Sequence, residues 1–192
     1  MQKSEKYIPA LNFDFLTPLY DPLIKWLMPE SKIKTHLIRE ANIQEGHRVL
    51  DVGCGTGTLA VLIKQIHNGA EVIGLDGDSK VLEIGRKKAE KAGVEIALQK
   101  GLSFKLPYAD KSFNRILSSL MLHHLTSENK RLTLAEIFRV LQPDGELHIA
   151  DFKKYNKSLP VMLRETGFQA VKEYAEYRTI FGIVSMWRAV KI

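Results

Sequence analysis

The chain has 192 residues, of which 45% are hydrophobic and 26% charged, with a formal net charge of +6. A chain of this length suits one compact domain, burying about 70% of the surface that it exposes when unfolded. Its single cysteine, Cys54, excludes an intrachain disulfide and a cysteine metal cluster. No stretch is long and apolar enough to span a bilayer and the N-terminus lacks the apolar run of a signal peptide, so a cytoplasmic location is expected.

Residues 1–45 read as an N-terminal helical segment and 46–192 as the main domain. From Tyr7 to Met28 the segment is rich in aromatics, Leu and Pro, with Phe13, Phe15, Tyr20 and Trp26. Such a stretch serves either as an apolar lid over a small-molecule site or as core packing. Tyr20 is a candidate to close over a ligand, or to anchor the segment to the core.

The first strand is His47 to Asp51, and it runs directly into Gly53, Gly55 and Gly57. Glycines there permit positive φ and close approach of a ligand to the backbone. A dinucleotide fingerprint is G-x-G-x-x-G, but the spacing here is G-x-G-x-G, with Thr58 where the third glycine should stand. Asp51 would repel a pyrophosphate and attract a cation. S-adenosylmethionine, which carries a sulfonium and an ammonium and no phosphate, suits that carboxylate better than NAD does. Cys54 reads as a small filler of a tight turn rather than a nucleophile.

A helix follows from near Gly57, with Leu59, Leu62, Ile63 and Ile66 as its core stripe, and ends near Asn68-Gly69. The second strand, Ala70 to Asp76, also ends in a carboxylate, about twenty residues after the glycines, where an acid accepts hydrogen bonds from ribose hydroxyls. Asp78 and Ser79 are placed to cap the next helix, which carries Val81, Gly85, Ala89 and Ala92. Arg86-Lys87-Lys88 and Lys91 on that helix alternate with Glu83 and Glu90 at helical spacing, as on a solvated face, so no nucleic-acid partner is expected.

The third strand is Val94 to Lys100, followed by a turn-rich segment through Leu106-Pro107 to Phe113. The fourth is Asn114 to Ser118, and a helix bearing Leu134, Ile137, Phe138 and Leu141 comes after it. Pro143-Asp144-Gly145 reads as a turn into the fifth strand, Glu146 to Asp151. Val161 to Thr166 is a helix closed by Gly167, and Phe168 to Tyr174 and Ile183 to Val190 are the last strands. Strands alternating with helices point to an α/β sandwich around a parallel sheet.

Asp51-Val-Gly-Cys-Gly-Thr-Gly57, the strand-ending Asp76, Leu106-Pro-Tyr-Ala-Asp-Lys-Ser-Phe113, Leu122-His-His-Leu125 and Leu141-Gln-Pro-Asp-Gly-Glu146 occur in order over nearly the whole chain. In this the sequence resembles the class I S-adenosylmethionine-dependent methyltransferases, especially those related to the ubiquinone and menaquinone biosynthesis enzymes. The resemblance implies a Rossmann-like three-layer sandwich. Its sheet would be seven-stranded and mostly parallel, five parallel strands being joined by helices and the last strand lying antiparallel between its neighbours.

The resemblance also implies site residues. The methionine portion of the cofactor would lie over Gly53, Gly55 and Gly57, with Asp51 holding its ammonium end, and Asp76, next to Gly77, would take the ribose. Leu102 and Ser103 would flank the adenine, and Ser119 would approach the methionine end. Many members carry Asp or Asn where this chain has Leu102, so a side-chain bond to the adenine amino group is replaced by an apolar wall or by backbone groups.

Methyl transfer from a sulfonium needs alignment and exclusion of water, and a base only if the acceptor is protonated. His123 and His124 are the candidates for that base; the alternative is that they cap backbone groups or support packing. No metal site is expected. The product would be S-adenosylhomocysteine and the partner a small, hydrophobic or aromatic acceptor, ahead of a site completed by a second subunit and of an open site docking a larger partner. Only Phe152 to Pro160 separate the fifth strand from the next helix, leaving no room for an inserted lid. A methyltransferase, a cofactor-binding protein without turnover and an NAD-type oxidoreductase are the three classes considered, in that order.

Overall fold

A computed structural model describes residues 29–192. The segment from Tyr7 to Met28, with the proposed lid and Tyr20, lies outside the described residues. In chain order the elements are α1 (Glu30–Glu40), β1 (Arg48–Val52), α2 (Thr58–Ile66), β2 (Glu71–Asp76), α3 (Ser79–Ala92), β3 (Ala97–Lys100) and β4 (Phe113–Ser119). A short 3-10 turn (Leu122–His124), α4 (Ser127–Val140), β5 (Leu141–Phe152), a second 3-10 turn (Lys153–Tyr155), α5 (Leu159–Thr166), β6 (Gln169–Thr179) and β7 (Gly182–Val190) complete the fold.

The seven strands form one sheet in the order β3-β2-β1-β4-β5-β7-β6. The first five pair in parallel, and β7 lies antiparallel between β5 and β6. This is the expected architecture. Alternation along each strand sends Val49, Val72, Leu117, Ala150 and Met186 to one face, against Ile33 and Leu37 of α1 and Leu59 and Ile63 of α2. Leu50, Ile73, Ile116, Leu147 and Ile149 face the other way, onto Leu134 and Ile137 of α4 and Met162 and Leu163 of α5. Helices therefore cover both faces, leaving the carboxyl ends of the parallel strands as the open edge.

Five expectations need correction. The link from β3 to β4, residues 101–112, contains no helix. Pro107 and its polar neighbours disfavour one, and Arg139 of α4 pins the loop instead, donating to the carbonyls of Leu106 (3.0 Å) and Tyr108 (2.8 Å) and to the Asp110 carboxylate (2.8 Å). Pro143-Asp144-Gly145 is not a turn before β5 but a bulge within it. Register passes from Phe113↔Leu141 to Arg115↔Glu146, and Asp144 takes a φ of 60°. Ile66, the last residue of α2, is 52% exposed, because the packed stripe is carried by Leu59, Ala60 and Ile63. Lastly, β3 is shorter than expected, starting at Ala97, and β6 longer, reaching Thr179 because it pairs with β7 along its length.

Candidate cofactor and acceptor site

The turn after β1 is tied to β2, since the N–H groups of Gly53 (2.8 Å) and Cys54 (3.0 Å) both donate to the Leu75 carbonyl. Gly53, Gly55 and Gly57 have φ of 72°, 52° and 68°, which explains why side-chain-bearing residues are excluded from all three. Their surroundings differ. A Cβ on Gly53 would lie 2.1 Å from Met121 Cγ, so Gly53 serves packing, whereas one on Gly57 would make only ordinary contact with Gly85 Cα at 3.5 Å. A Cβ on Gly55 would meet nothing within 4 Å, and this is the glycine that faces open space. Cys54 is buried beside Gly74, and burial together with Asp51 and Asp76 pushes its thiol well above the usual range, as befits a filler.

Asp51 pairs with Gly74 on one side and Leu117 on the other. Asp76 and Ser119, each two residues further on, therefore share its face of the sheet at the open edge. Asp51 is buried, and neither of its carboxylate oxygens has a hydrogen-bond partner among the described residues. Burial pushes its pKa up to about 7, with Lys34 pulling it down and Asp76 pushing it further up. The Ser119 hydroxyl is likewise buried without a partner. Burying a polar atom without a partner is costly, and a ligand ammonium would fit the Asp51 carboxylate.

Asp76 is already engaged. Its Oδ2 accepts from Gly55 N–H (2.8 Å) and its Oδ1 from Asp78 N–H (3.0 Å), so it holds the glycine turn and the β2–α3 corner together with lone pairs to spare. Gly77 is a half-buried bend at that corner, and Asp78 caps α3 by accepting from Lys80 N–H at 2.8 Å, as expected. Leu102 is 37% exposed and its carbonyl accepts from Lys105 N–H (3.0 Å). The Ser103 hydroxyl is turned to Thr133 of α4, at 2.9 Å, and so anchors the loop.

Beyond Ser119 the chain turns sharply. Leu120 has a φ of 56°, a conformation costing roughly 1–2 kcal/mol for a residue with a side chain, and its N–H donates to the Ala150 carbonyl at 2.8 Å. The turn delivers Met121 onto the glycine loop and His123 into a groove of about 630 Å³ lined by Leu120, His123, His124, Phe152, Lys154, Tyr155, Ile180 and Phe181.

His123 Nδ1 lies 2.8 Å from Oδ1 of Asp151, a carboxylate only 2% exposed that also accepts from the N–H groups of Phe152 (2.6 Å) and His123 (3.3 Å). An ionised carboxylate accepts only, so the ring donates through Nδ1 and Nε2 is left to accept. Phe152 packs edge-on to the ring at 5.1 Å and Tyr155 stacks on it at 6.0 Å. His124 lies 4.0 Å away, its basicity lowered by burial and by His123.

The two candidate histidines are thus together, but only His123 carries an orienting carboxylate. Asp151, Met121, Tyr155 and the Ile180-Phe181 pair were missed in the sequence. Asp151 alone had a usable signal, because it ends its strand in a carboxylate as Asp51 and Asp76 do.

Residues 49–145 match the family model described as a methyltransferase domain. A demethylmenaquinone methyltransferase of Thermus thermophilus is 30% identical over 161 residues, covering 83% of this chain and 72% of the relative. Another of that name from Symbiobacterium thermophilum is 31% identical over 149 residues, and there the match spans 75% of this chain but only 58% of the relative. Among solved structures, a SAM-dependent methyltransferase from Aquifex aeolicus superposes with a TM-score of 0.71 at 20% identity, covering 90% of this chain and 94% of its own. Among the described residues, no helix is long and apolar enough to cross a membrane and no group of acids, His or Cys is placed to hold a metal ion.

Proposed function

The chain belongs to the methyltransferase domain family, in the group of the ubiquinone and menaquinone methyltransferases, and methylates a small molecule with S-adenosylmethionine as donor; on that premise we propose that its acceptor is an apolar or aromatic molecule whose reacting group is deprotonated by His123. The observation that carries this is the His123–Asp151 pair at the base of the groove.

When bound, S-adenosylmethionine supplies a methyl group activated by its sulfonium. The chain's own residues do the rest. Asp51 binds the ammonium end, Asp76 and Gly77 the ribose, Leu102 walls the adenine, Gly55 leaves room at the turn and Ser119 offers its hydroxyl near the methionine end. Phe152, Tyr155, Ile180 and Phe181 exclude water from the acceptor and favour a flat or apolar body. Asp151 fixes the ring of His123 so that Nε2 is free to receive a proton from the acceptor. His124, less basic and without such a carboxylate, supports the wall. The relatives' names, which specify demethylmenaquinone, add weight to an aromatic acceptor.

The test is a screen of hydroxylated aromatic acceptors with methyl-labelled donor, repeated on His123→Ala and Asp151→Asn. Both variants should bind S-adenosylhomocysteine as the parent does while turnover falls roughly 10²–10⁴-fold. Undiminished turnover by His123→Ala would refute the base.

A further inference from the structure

Tight hairpin turns favour Gly, Asn and Asp, yet the β6–β7 turn places Ile180 and Phe181 at its two central positions. The positive φ falls on Gly182 instead, at 126°. The turn is locked by Thr179, whose hydroxyl accepts from Phe181 N–H (3.1 Å) and donates to the Gly182 carbonyl (2.8 Å). Two bulky apolar side chains are thereby presented outward, 58% and 43% exposed. Tyr155, on the same groove, is 52% exposed. Single exposed apolar residues are ordinary, but three around one opening are a cluster.

Lys154 lines the same groove, and further basic residues neighbour its rim in sequence. Lys153, Lys154 and Lys157 flank Tyr155, and Arg178 precedes the hairpin tip. Glu173 and Glu176 both turn to Lys153. Lys154 holds its ammonium 4.7 Å from the centre of the Tyr155 ring, and among the described residues neither Lys154 nor Lys157 forms an ion pair with an acid. Apolar tips collared by long amines match the boundary between headgroups and acyl chains in a bilayer containing anionic lipid. The net charge of +6 acts in the same direction.

The geometry points to the groove rim as a membrane-docking surface: Ile180, Phe181 and Tyr155 enter an anionic phospholipid bilayer while Lys154 and Lys157 contact its headgroups. The groove then opens onto the bilayer and draws an apolar acceptor from it. This goes beyond the proposed role of His123 and stands whichever atom is methylated.

The full chain is sedimented with vesicles of phosphatidylcholine alone and of phosphatidylcholine mixed with phosphatidylglycerol. It is compared with Ile180→Ser/Phe181→Ser and with Lys154→Gln/Lys157→Gln, and binding of S-adenosylhomocysteine verifies that each variant is folded. The parent should bind the mixed vesicles, more weakly by about tenfold or more in the serine pair and by roughly fivefold per lysine in the glutamine pair. Parent protein left in the supernatant with both lipids, which is the result if another part of the chain covers the tip, would overturn the proposal. So would equal binding to the neutral vesicles, or binding that either pair leaves unchanged.

Discussion

Met121 occupies the space that a side chain on Gly53 would need, with its Cγ only 2.1 Å from where that Cβ would sit. The contact joins the glycine turn after β1 to the sharp turn after β4, the two segments between which cofactor and acceptor must meet. Gly53→Ala combines this overlap with an unfavourable φ and should destabilise the fold by about 2–4 kcal/mol. Adding Met121→Ala removes the Cγ overlap but leaves the Cβ of residue 121 at 2.7 Å and the φ penalty, so it should recover only part of that loss. Chemical denaturation of the two single variants and the double variant measures the coupling.

Gly55 provides the contrast. An added methyl there meets no protein atom, so Gly55→Ala should cost only the backbone penalty, roughly 1–2 kcal/mol. If the open space belongs to the cofactor, S-adenosylhomocysteine affinity should nevertheless fall about tenfold or more, a loss of about 1.4 kcal/mol. Calorimetry on the folded variant decides, and unchanged affinity would place the cofactor elsewhere.

Burial raises Asp51 to about 7 from the ordinary 3.8. The folded apoprotein therefore holds a proton that the unfolded chain releases, and stability from this group falls as pH rises from about 4 to 7. A cofactor ammonium favours the ionised form, so binding expels that proton below pH 7 and affinity should rise with pH up to about 7 and then level off. Asp51→Asn should raise the Tm of the apoprotein above pH 7, flatten the pH dependence of binding and weaken binding itself. Thermal melts and titrations between pH 5 and pH 8 would show it.

Glu146 anchors a second polar knot, accepting from Arg188 Nε (2.7 Å) and Nη2 (2.8 Å), with His148 Nε2 at 3.0 Å and Arg115 Nη2 at 3.7 Å. Burial opposes its charge, but the bonds from His148 and Arg188 and the charge of Arg115 prevail and hold its pKa down to about 2. Its stabilising effect is complete above about 4.5 and is lost as pH falls towards 2. His148, kept neutral by burial, adds a loss that begins below about 6.5. Glu146→Gln should cost about 2–4 kcal/mol near neutrality and flatten the acid limb of stability, as read from Tm against pH.

The sheet was legible because its signals are local. Alternating apolar residues, carboxylates at the ends of strands and glycines in turns are all written in short windows. Asp51, Asp76 and the glycines stand out in such windows, and the shared face of Asp51, Asp76 and Ser119 follows from the parity of the strands. The pairing of Asp151 with His123 became visible only when β4 and β5 came side by side, since the two are distant in sequence. Nothing local to Gly53 announces that Met121 will fill the space beside it. The bond of Ser103 to Thr133 is likewise tertiary and has no local signal. The Pro143-Asp144-Gly145 bulge looked like a turn because the same residue types make both, and only the pairing with β4 separates them.

The most direct test is calorimetric titration of the purified chain with S-adenosylmethionine, S-adenosylhomocysteine and NAD, repeated on Asp51→Asn. The expected result is micromolar binding of the first two and none of NAD, with affinity reduced at least about tenfold by the substitution. Preference for NAD, or binding of S-adenosylhomocysteine that Asp51→Asn leaves unchanged, would contradict a cofactor held at the carboxyl edge of β1.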